Sequence, residues 1–312
     1  MMLREFRRED APRLFALLKS EFPEEEAMLG MRPEGFETVI RRLYRADVRF
    51  VLGLLRAFHR SPFHLYVAEE GGAIAATTLL SFAPRAGFLS TVVVDPAFRR
   101  HGFARRLLQA ARGETGRRGR PYVALRVLES NTPARALYAS EGYVDLDRQW
   151  FSVQDAPATI VPPQAGAAVR PSRPSDLAAV AALANRLAPE PVRTVLPVRP
   201  RYFAGGTWDD RLFSAETAHW VVDRGRGPEA HVAATTTPTT EAAHLSTPIV
   251  AESVEPSLAA DLVRTAGVWL ATRRPPRIVT TVPETSARAR AALKEVGFHD
   301  AVAHRTLYRP SR

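Results

Sequence analysis

The sequence predicts a mixed α/β protein of two tandem domains, each a sheet of parallel and antiparallel strands covered by helices, and three observations carry that expectation. At 312 residues the chain is about two domains long, at roughly 150 residues each. Short pieces of the first half return in the second in the same order and at nearly constant separation. Each half reads strand, helices, hairpin, strand, helix, strand, helix, strand pair, which is the layout of a sheet with helices packed on it.

The elements follow in order. Leu3 to Leu14 has a counterpart in Val169 to Leu177, each reading as a short strand, an acidic or serine N-cap and an amphipathic helix. Residues 23 to 62 read as further helix, with Val39, Leu43, Val48, Val51, Leu54 and Leu55 at helical spacing; they serve either as a cap over the substrate side or as packing helices. His64 to Val67 aligns with His219 to Val222, and Ala75 to Thr78 with Ala233 to Thr236, as hairpins around glycine-containing turns. Leu89-Ser90-Thr91 returns as Leu245-Ser246-Thr247, and Leu125 to Tyr143 as Thr280 to Phe298. Residues 154–168 are rich in Pro, Ala and Gly without a helical or strand period. The expected division is therefore 1–153, a connector at 154–168, and 169–312.

Composition narrows the function. An apolar fraction of 46% and a charged fraction of 24% are those of an ordinary globular protein. No apolar run approaches the ~20 residues that cross a bilayer, and MMLREFRRED has no secretory hydrophobic core, so a cytoplasmic protein is expected. With no cysteine, a thiolate nucleophile, a thiolate metal site and disulfides are excluded, and no metal is expected. The net charge of +10 rests almost wholly on arginine, since Lys19 and Lys294 are the only lysines. Nucleic acid is not the expected partner, because the arginines are scattered and no helix-turn-helix, zinc finger or RNP-like motif accompanies them. An anionic cofactor suits the charge better.

The chemistry concentrates in Thr91 to Ala111, TVVVDPAFRRHGFARRLLQAA. The β-branched run Val92-Val93-Val94 stops at Asp95-Pro96, where a proline cannot continue a ladder. A short basic turn then leads into a helix with apolar positions at Ala104, Leu107, Leu108 and Ala111. Free N–H groups and the positive dipole end of a helix coincide at its start, so this turn, with Arg99 and Arg100 alongside, is a ready phosphate site. Gly102 lets the backbone come close to a bulky anion.

These residues resemble the GNAT superfamily of acyl-CoA-dependent N-acyltransferases. Arg99-x-x-Gly102-x-Ala104 fits the family's Arg/Gln-x-x-Gly-x-Gly/Ala turn. Asn131, followed seven residues later by Tyr138 and then by Gly142-Tyr143, fits its second landmark. The resemblance is good over residues 1 to 152 and weak over 168 to 312. It implies acetyl-CoA as cosubstrate, with the pantetheine arm against Val92, Val93 and Val94. It further implies that the amides from Arg100 through His101, Gly102, Phe103 and Ala104 to Arg105 hold the pyrophosphate, and that Asn131 bonds the pantetheine region. Tyr138 would lie beside the sulfur, as the acid for the departing thiolate.

The implied reaction is direct attack of an acceptor's primary amine on the thioester in a ternary complex, a small molecule being expected over a protein as acceptor and a monomer or homodimer as the working form. An amine with a pKa near ~10.4 is only about one part in 2,500 neutral at pH 7, so a base must assist. Many family members carry a glutamate on the strand before the turn, and Gly87 to Ser90 holds none; Glu129, Glu69, Glu70 and His64 are the substitutes within the sequence. The alternative is a non-catalytic acyl-CoA sensor or interaction module. In the second half Val254-Glu255-Pro256-Ser257-Leu258-Ala259 stands opposite Arg99 to Ala104, and Ser286 and Leu293 stand opposite Asn131 and Tyr138. No acyl-CoA binding is expected there, only packing against the first half and shaping of the acceptor pocket.

Overall fold

The repeat is built into one continuous sheet in the computed structural model, which describes residues 2–57, 61–155, 160–164, 168–205, 210 and 214–312. The first half runs β1 (Met2–Glu5), α1 (Ala11–Glu21), α2 (Pro23–Leu29), α3 (Pro33–Leu43), α4 (Ala46–Ala57), β2 (Phe63–Glu70), β3 (Ala73–Phe82), β4 (Ala86–Val94), α5 (Phe103–Arg117), β5 (Tyr122–Leu128), α6 (Thr132–Ser140) and β6 (Val144–Asp155). The second runs β7 (Val169–Pro171), α7 (Leu177–Leu187), α8 (Glu190–Val195), β8 (Glu216–Asp223), β9 (Pro228–Thr236), β10 (Ala243–Leu245), β11 (Ile249–Val250), α9 (Pro256–Ala271), β12 (Arg277–Pro283), α10 (Ala287–Glu295) and β13 (His299–Pro310). From edge to edge the strands lie β1-β2-β3-β4-β5-β13-β6-β12-β10-β9-β8-β7, with β11 on β9. The pairs β4–β5 and β10–β12 are parallel and every other described pair is antiparallel.

The strand order shows an exchange that the repeat alone did not reveal. Each half gives its last strand to the other: β13 lies between β5 and β6, and β6 lies between β13 and β12. The pair Leu125–Leu307 on one side is matched by Thr280–Ser152 on the other, so a pseudo-twofold axis passes between β6 and β13. The helices exchange as well. Met28 and Leu29 of α2 pack on Phe151, Val153, Val279 and Val302, whereas Val195 and Leu196 beside α8 pack on Ala86, Phe88, Tyr122 and Ala124. Neither half could bury these faces alone.

Within each half the two long helices share one face of the sheet. Leu108 and Ala111 of α5 are buried over Leu80, Leu89, Val123 and Leu125, Leu107 over Ala68, Ala75 and Ala76, and α9 repeats this with Leu262, Val263 and Ala266. A fully buried leucine contributes about 2 kcal/mol. The entry to each half is tied by the same device, an arginine on the first strand gripping an aspartate that begins the helical segment. Arg4 holds Asp10 at 2.7 and 2.9 Å, and Arg170 holds Asp176 at 2.8 and 3.0 Å.

The register corrects two of the sequence alignments. Arg4 pairs with Val67 and Arg170 with Val221, so Val67 matches Val221 rather than Val222. Asp95 N–H bonds the carbonyl of Ala75 and Ala251 N–H that of Glu229, so Ala75 matches Glu229 rather than Ala233. Short apolar repeats slide easily along a strand, whereas ladder hydrogen bonds do not. The match of Leu89 with Leu245 stands, since they oppose Leu80 and Ala234 at equivalent rungs.

Residues 23–57 form α2, α3 and α4 with breaks at 30–32 and 44–45, and residues 58–60 lie outside the described set. Their apolar positions divide: Val39 is buried, but Val51 and Leu54 are each 52% exposed, and Phe50 beside them is 73% exposed. Helical period marks a shared face, and α4 turns that face outward. In the connector, Gln154 and Asp155 still belong to β6, Ile160 is buried in the core of the second half, and residues 156–159 and 165–167 lie outside the described set.

Candidate active site

The site begins at a fork in the sheet. β4 runs beside β5 only from Ala86 to Leu89, opposite Tyr122 to Leu125. At Thr91, which has a φ of +53°, the register against β3 slips by one residue. Such a bulge bends a strand and increases its twist. Ser90 to Val94 therefore turn away from Arg126 to Leu128, leaving two strand edges that face each other with no strand between them among the described residues. Val93 is buried, while the half-buried Val92 packs near Tyr138 and Val94 near Phe103 and Leu107.

The basic turn follows immediately. Asp95 accepts from Ala97 N–H at 3.0 Å and is held by Arg13, closing a short turn over Pro96 to Phe98. Arg100 and Gly102 take left-handed backbone conformations, with φ of +68° and +81°. Phe103 anchors the turn from beneath, buried edge-to-face against Phe98 at 5.9 Å. The first helical bond of α5 is Arg106 N–H to Gly102 C=O at 3.2 Å. Ahead of it, the amides of Arg100 to Arg105 meet no acceptor among the described residues. Left-handed residues that lead into a helix gather N–H groups into an anion-binding concavity. A side chain added at Gly102 would meet nothing within 4 Å, so the space in front of these amides is open.

The cations around the turn are not equivalent. Arg99 pairs with Glu21 and Arg105 with Glu141, whereas Arg100 and His101 are exposed without an ion pair among the described residues. Opposite the fork, Asn131 caps α6, its Oδ1 accepting from Ala134 N–H at 3.1 Å, which leaves its amide nitrogen free for another partner. Tyr138 lies edge-on to Tyr143, with ring centroids 5.9 Å apart, in the cluster that includes Val92. Its ring is buried, but its hydroxyl has no hydrogen bond among the described residues and is not among the sealed polar atoms, so its tip reaches solvent. Burial pushes the hydroxyl pKa up to about 12.

The substitutes for a base are engaged elsewhere. Glu129 is gripped by Arg148 and Arg305 through contacts of 2.7 to 3.0 Å, and these hold its carboxyl below the usual range. Glu69 pairs with Arg4 at 2.6 Å. His64 is buried between Glu5 at 2.5 Å and Arg118 at 2.6 Å. Glu70 also has a partner. No group of three or more His, Asp or Glu side chains converges as a metal site among the described residues.

The equivalent place in the second half is closed. α9 opens on Pro256, which has no N–H to give, and Glu255 before it lies against Arg224 at 2.9 Å. Ser286 makes no side-chain cap, and Leu293 fills the position of Tyr138 as a buried core residue.

A forked mixed sheet doubled along the chain, with the open turn kept only in the first half, is the fold of tandem GNAT structures. Residues 12–143 match the model of the acetyltransferase (GNAT) family. Among solved structures it is similar to a tandem GNAT protein from the clavulanic acid biosynthesis pathway, at 18% identity and a TM-score of 0.56, over 80% of this chain and 83% of that one. It is similar to a GCN5-related N-acetyltransferase from Sphaerobacter thermophilus at 17% identity and a TM-score of 0.65, over 100% and 96% of the two chains. A glucosamine N-acetyltransferase region of a fungal multi-domain β-N-acetylglucosaminidase gives 15% identity and a TM-score of 0.66, over 99% of this chain and 38% of that one. No curated protein sequence matches. No helix among the described residues is long and apolar enough to cross a membrane.

Proposed function

We propose that the chain is an N-acetyltransferase that moves an acetyl group from acetyl-CoA to a primary amine by direct attack, with residues 1–153 holding the cosubstrate and residues 169–312 binding none. The observation that carries this reading is the row of unused amides from Arg100 to Arg105, opening beside the free edge of β4. A diphosphate suits that turn, because an open glycine converges there with N–H groups and an Arg100 that have no acceptor or ion pair among the described residues. The bound cosubstrate supplies the acetyl group as an activated thioester.

The chain's own residues do the rest. Val92, Val93 and Val94 offer backbone groups along the fork, one of whose N–H groups stabilises charge developing on the carbonyl oxygen. Asn131 offers its free amide to the pantetheine amides from the other side. Tyr138 donates a hydrogen bond to the departing sulfur: its ring is fixed by packing and its hydroxyl has no competing partner among the described residues. Incubation with acetyl-CoA and a panel of amines, following free thiol, tests the function. Acceptor-dependent thiol release is expected, and tight cosubstrate binding without release by any amine would overturn it.

A further inference from the structure

The open turn of the first half gathers cations where a helix ordinarily avoids them. The first turn of α5 carries Arg105 and Arg106 and no acid, and Arg99 and Arg100 stand just ahead of it. Free amides and the dipole already make the start of a helix positive, so guanidinium groups there destabilise the protein unless an anion is close. Two acids answer that need. Glu21, the last residue of α1, accepts from Arg99 Nη2, and Glu141, which caps the end of α6, accepts from Arg105 Nε.

Within each pair the acid is the fixed partner and the arginine the movable one. Glu21 and Glu141 are 17% and 14% exposed, whereas the Arg99 and Arg105 side chains are 54% and 51% exposed. Buried Leu14 and Leu17 anchor α1 on the sheet, and Arg309 donates to the Glu141 carbonyl. Ion pairs that reach this far into solvent contribute little to stability, so either guanidinium can leave its carboxylate for a stronger anion.

The second half is an internal control. α1 and α7 are 11 residues each and follow the same Arg–Asp grip, which puts Leu187 at the place of Glu21. The buried faces of α5 and α9 match Leu107 and Leu108 with Leu262 and Val263, which puts Val254 and Ala260 at the places of Arg99 and Arg105. Glu141 and Val296 each cap a helix just before a glycine, Gly142 and Gly297. Both ion pairs are thus apolar in the half whose turn is closed. The fold stands without them, and they accompany the open turn.

We propose that Glu21 and Glu141 are counter-anions that compete with the diphosphate of the cosubstrate for Arg99 and Arg105, and so set how tightly acetyl-CoA is held and how fast coenzyme A leaves. This rests on the reading of the turn as the diphosphate site and deepens it. Acetyl-CoA and coenzyme A carry the same diphosphate, so grip at the turn holds substrate and product alike and speeds no chemical step. Past the affinity that fills the site, more grip only delays product release. On binding, each guanidinium turns from its carboxylate to a phosphate oxygen, and on release the carboxylate takes it back. Glu21 and Glu141 act through the two arginines and are positioning residues.

The test uses the full chain with acetyl-CoA and coenzyme A as probes. Calorimetry gives affinity and stopped-flow displacement gives the release rate, for wild type, Glu21→Gln, Glu141→Gln, Arg99→Gln and the double variant Glu21→Gln/Arg99→Gln. Measurements at about 50 and about 500 mM salt separate charge effects from packing, because salt screens exposed charges. Each glutamine variant should bind both probes about three- to tenfold more tightly at low salt, with a matching fall in release rate and a smaller gain at high salt. Arg99→Gln should cost less affinity in wild type, where Glu21 holds the guanidinium, than in Glu21→Gln.

A merely structural role for the acids predicts the opposite sign, since loss of a brace weakens binding. Unchanged or weaker binding by a glutamine variant that unfolds in urea like wild type overturns the proposal for its pair, while binding by wild type leaves the reading of the turn intact. Failure of every form to bind acetyl-CoA overturns that reading and this inference with it.

Discussion

Tyr138→Phe separates the tyrosine's chemistry from its packing. The ring is buried among Leu89, Leu108, Val123 and Tyr143, and phenylalanine keeps all of that volume. The hydroxyl has no partner among the described residues, so its removal orphans no donor or acceptor there, and stability should stay within about 0.5 kcal/mol. The kinetic cost follows from the hydroxyl pKa of about 12. A thiol titrates near ~8.5, so complete proton transfer from Tyr138 to the leaving thiolate is uphill by about 3.5 pKa units, or about 5 kcal/mol. Tyr138 therefore acts by donating a hydrogen bond to a charged sulfur, worth about 1.5–3 kcal/mol. That corresponds to a fall in kcat of about 10- to 150-fold, with KM for acetyl-CoA little changed. The assay is steady-state thiol release at saturating acetyl-CoA with the best amine of the panel, alongside urea unfolding. A fall of less than about threefold in a stably folded variant would remove Tyr138 from the chemistry.

Other perturbations have equally definite outcomes. Arg100→Glu should weaken acetyl-CoA binding by about tenfold or more in calorimetry, since it places a carboxylate where the turn's arginine has no ion pair among the described residues. Gly35→Ala should cost about 3 kcal/mol in urea unfolding, because the added carbon would lie 2.0 Å from the backbone oxygen of Pro238, which cannot swing aside. Glu114 is held at about 2 against an ordinary 4.5; burial works against this, but hydrogen bonds from Arg118 and Arg117 outweigh it. A carboxyl with a depressed folded pKa stabilises fully above its unfolded pKa and loses that contribution as pH falls through the folded one. Glu114→Gln should therefore lose about 3 kcal/mol at pH 7, with the gap to wild type closing between about pH 4.5 and 2 in parallel unfolding curves.

By itself the sequence determined the periodicities and the motifs. The valine run halted by Asp95-Pro96, the basic turn with Gly102 and the span from Asn131 to Tyr138 are local patterns whose geometry is set within a few residues, so the fork's turn and its flanking helices were legible before any fold was known. So was the loss of the turn at Glu255-Pro256. Only the tertiary structure decided the exchange of β6 and β13, the crossing of α2 and α8, and the outward face of α4, because strand pairing and helix docking depend on residues far apart in the chain.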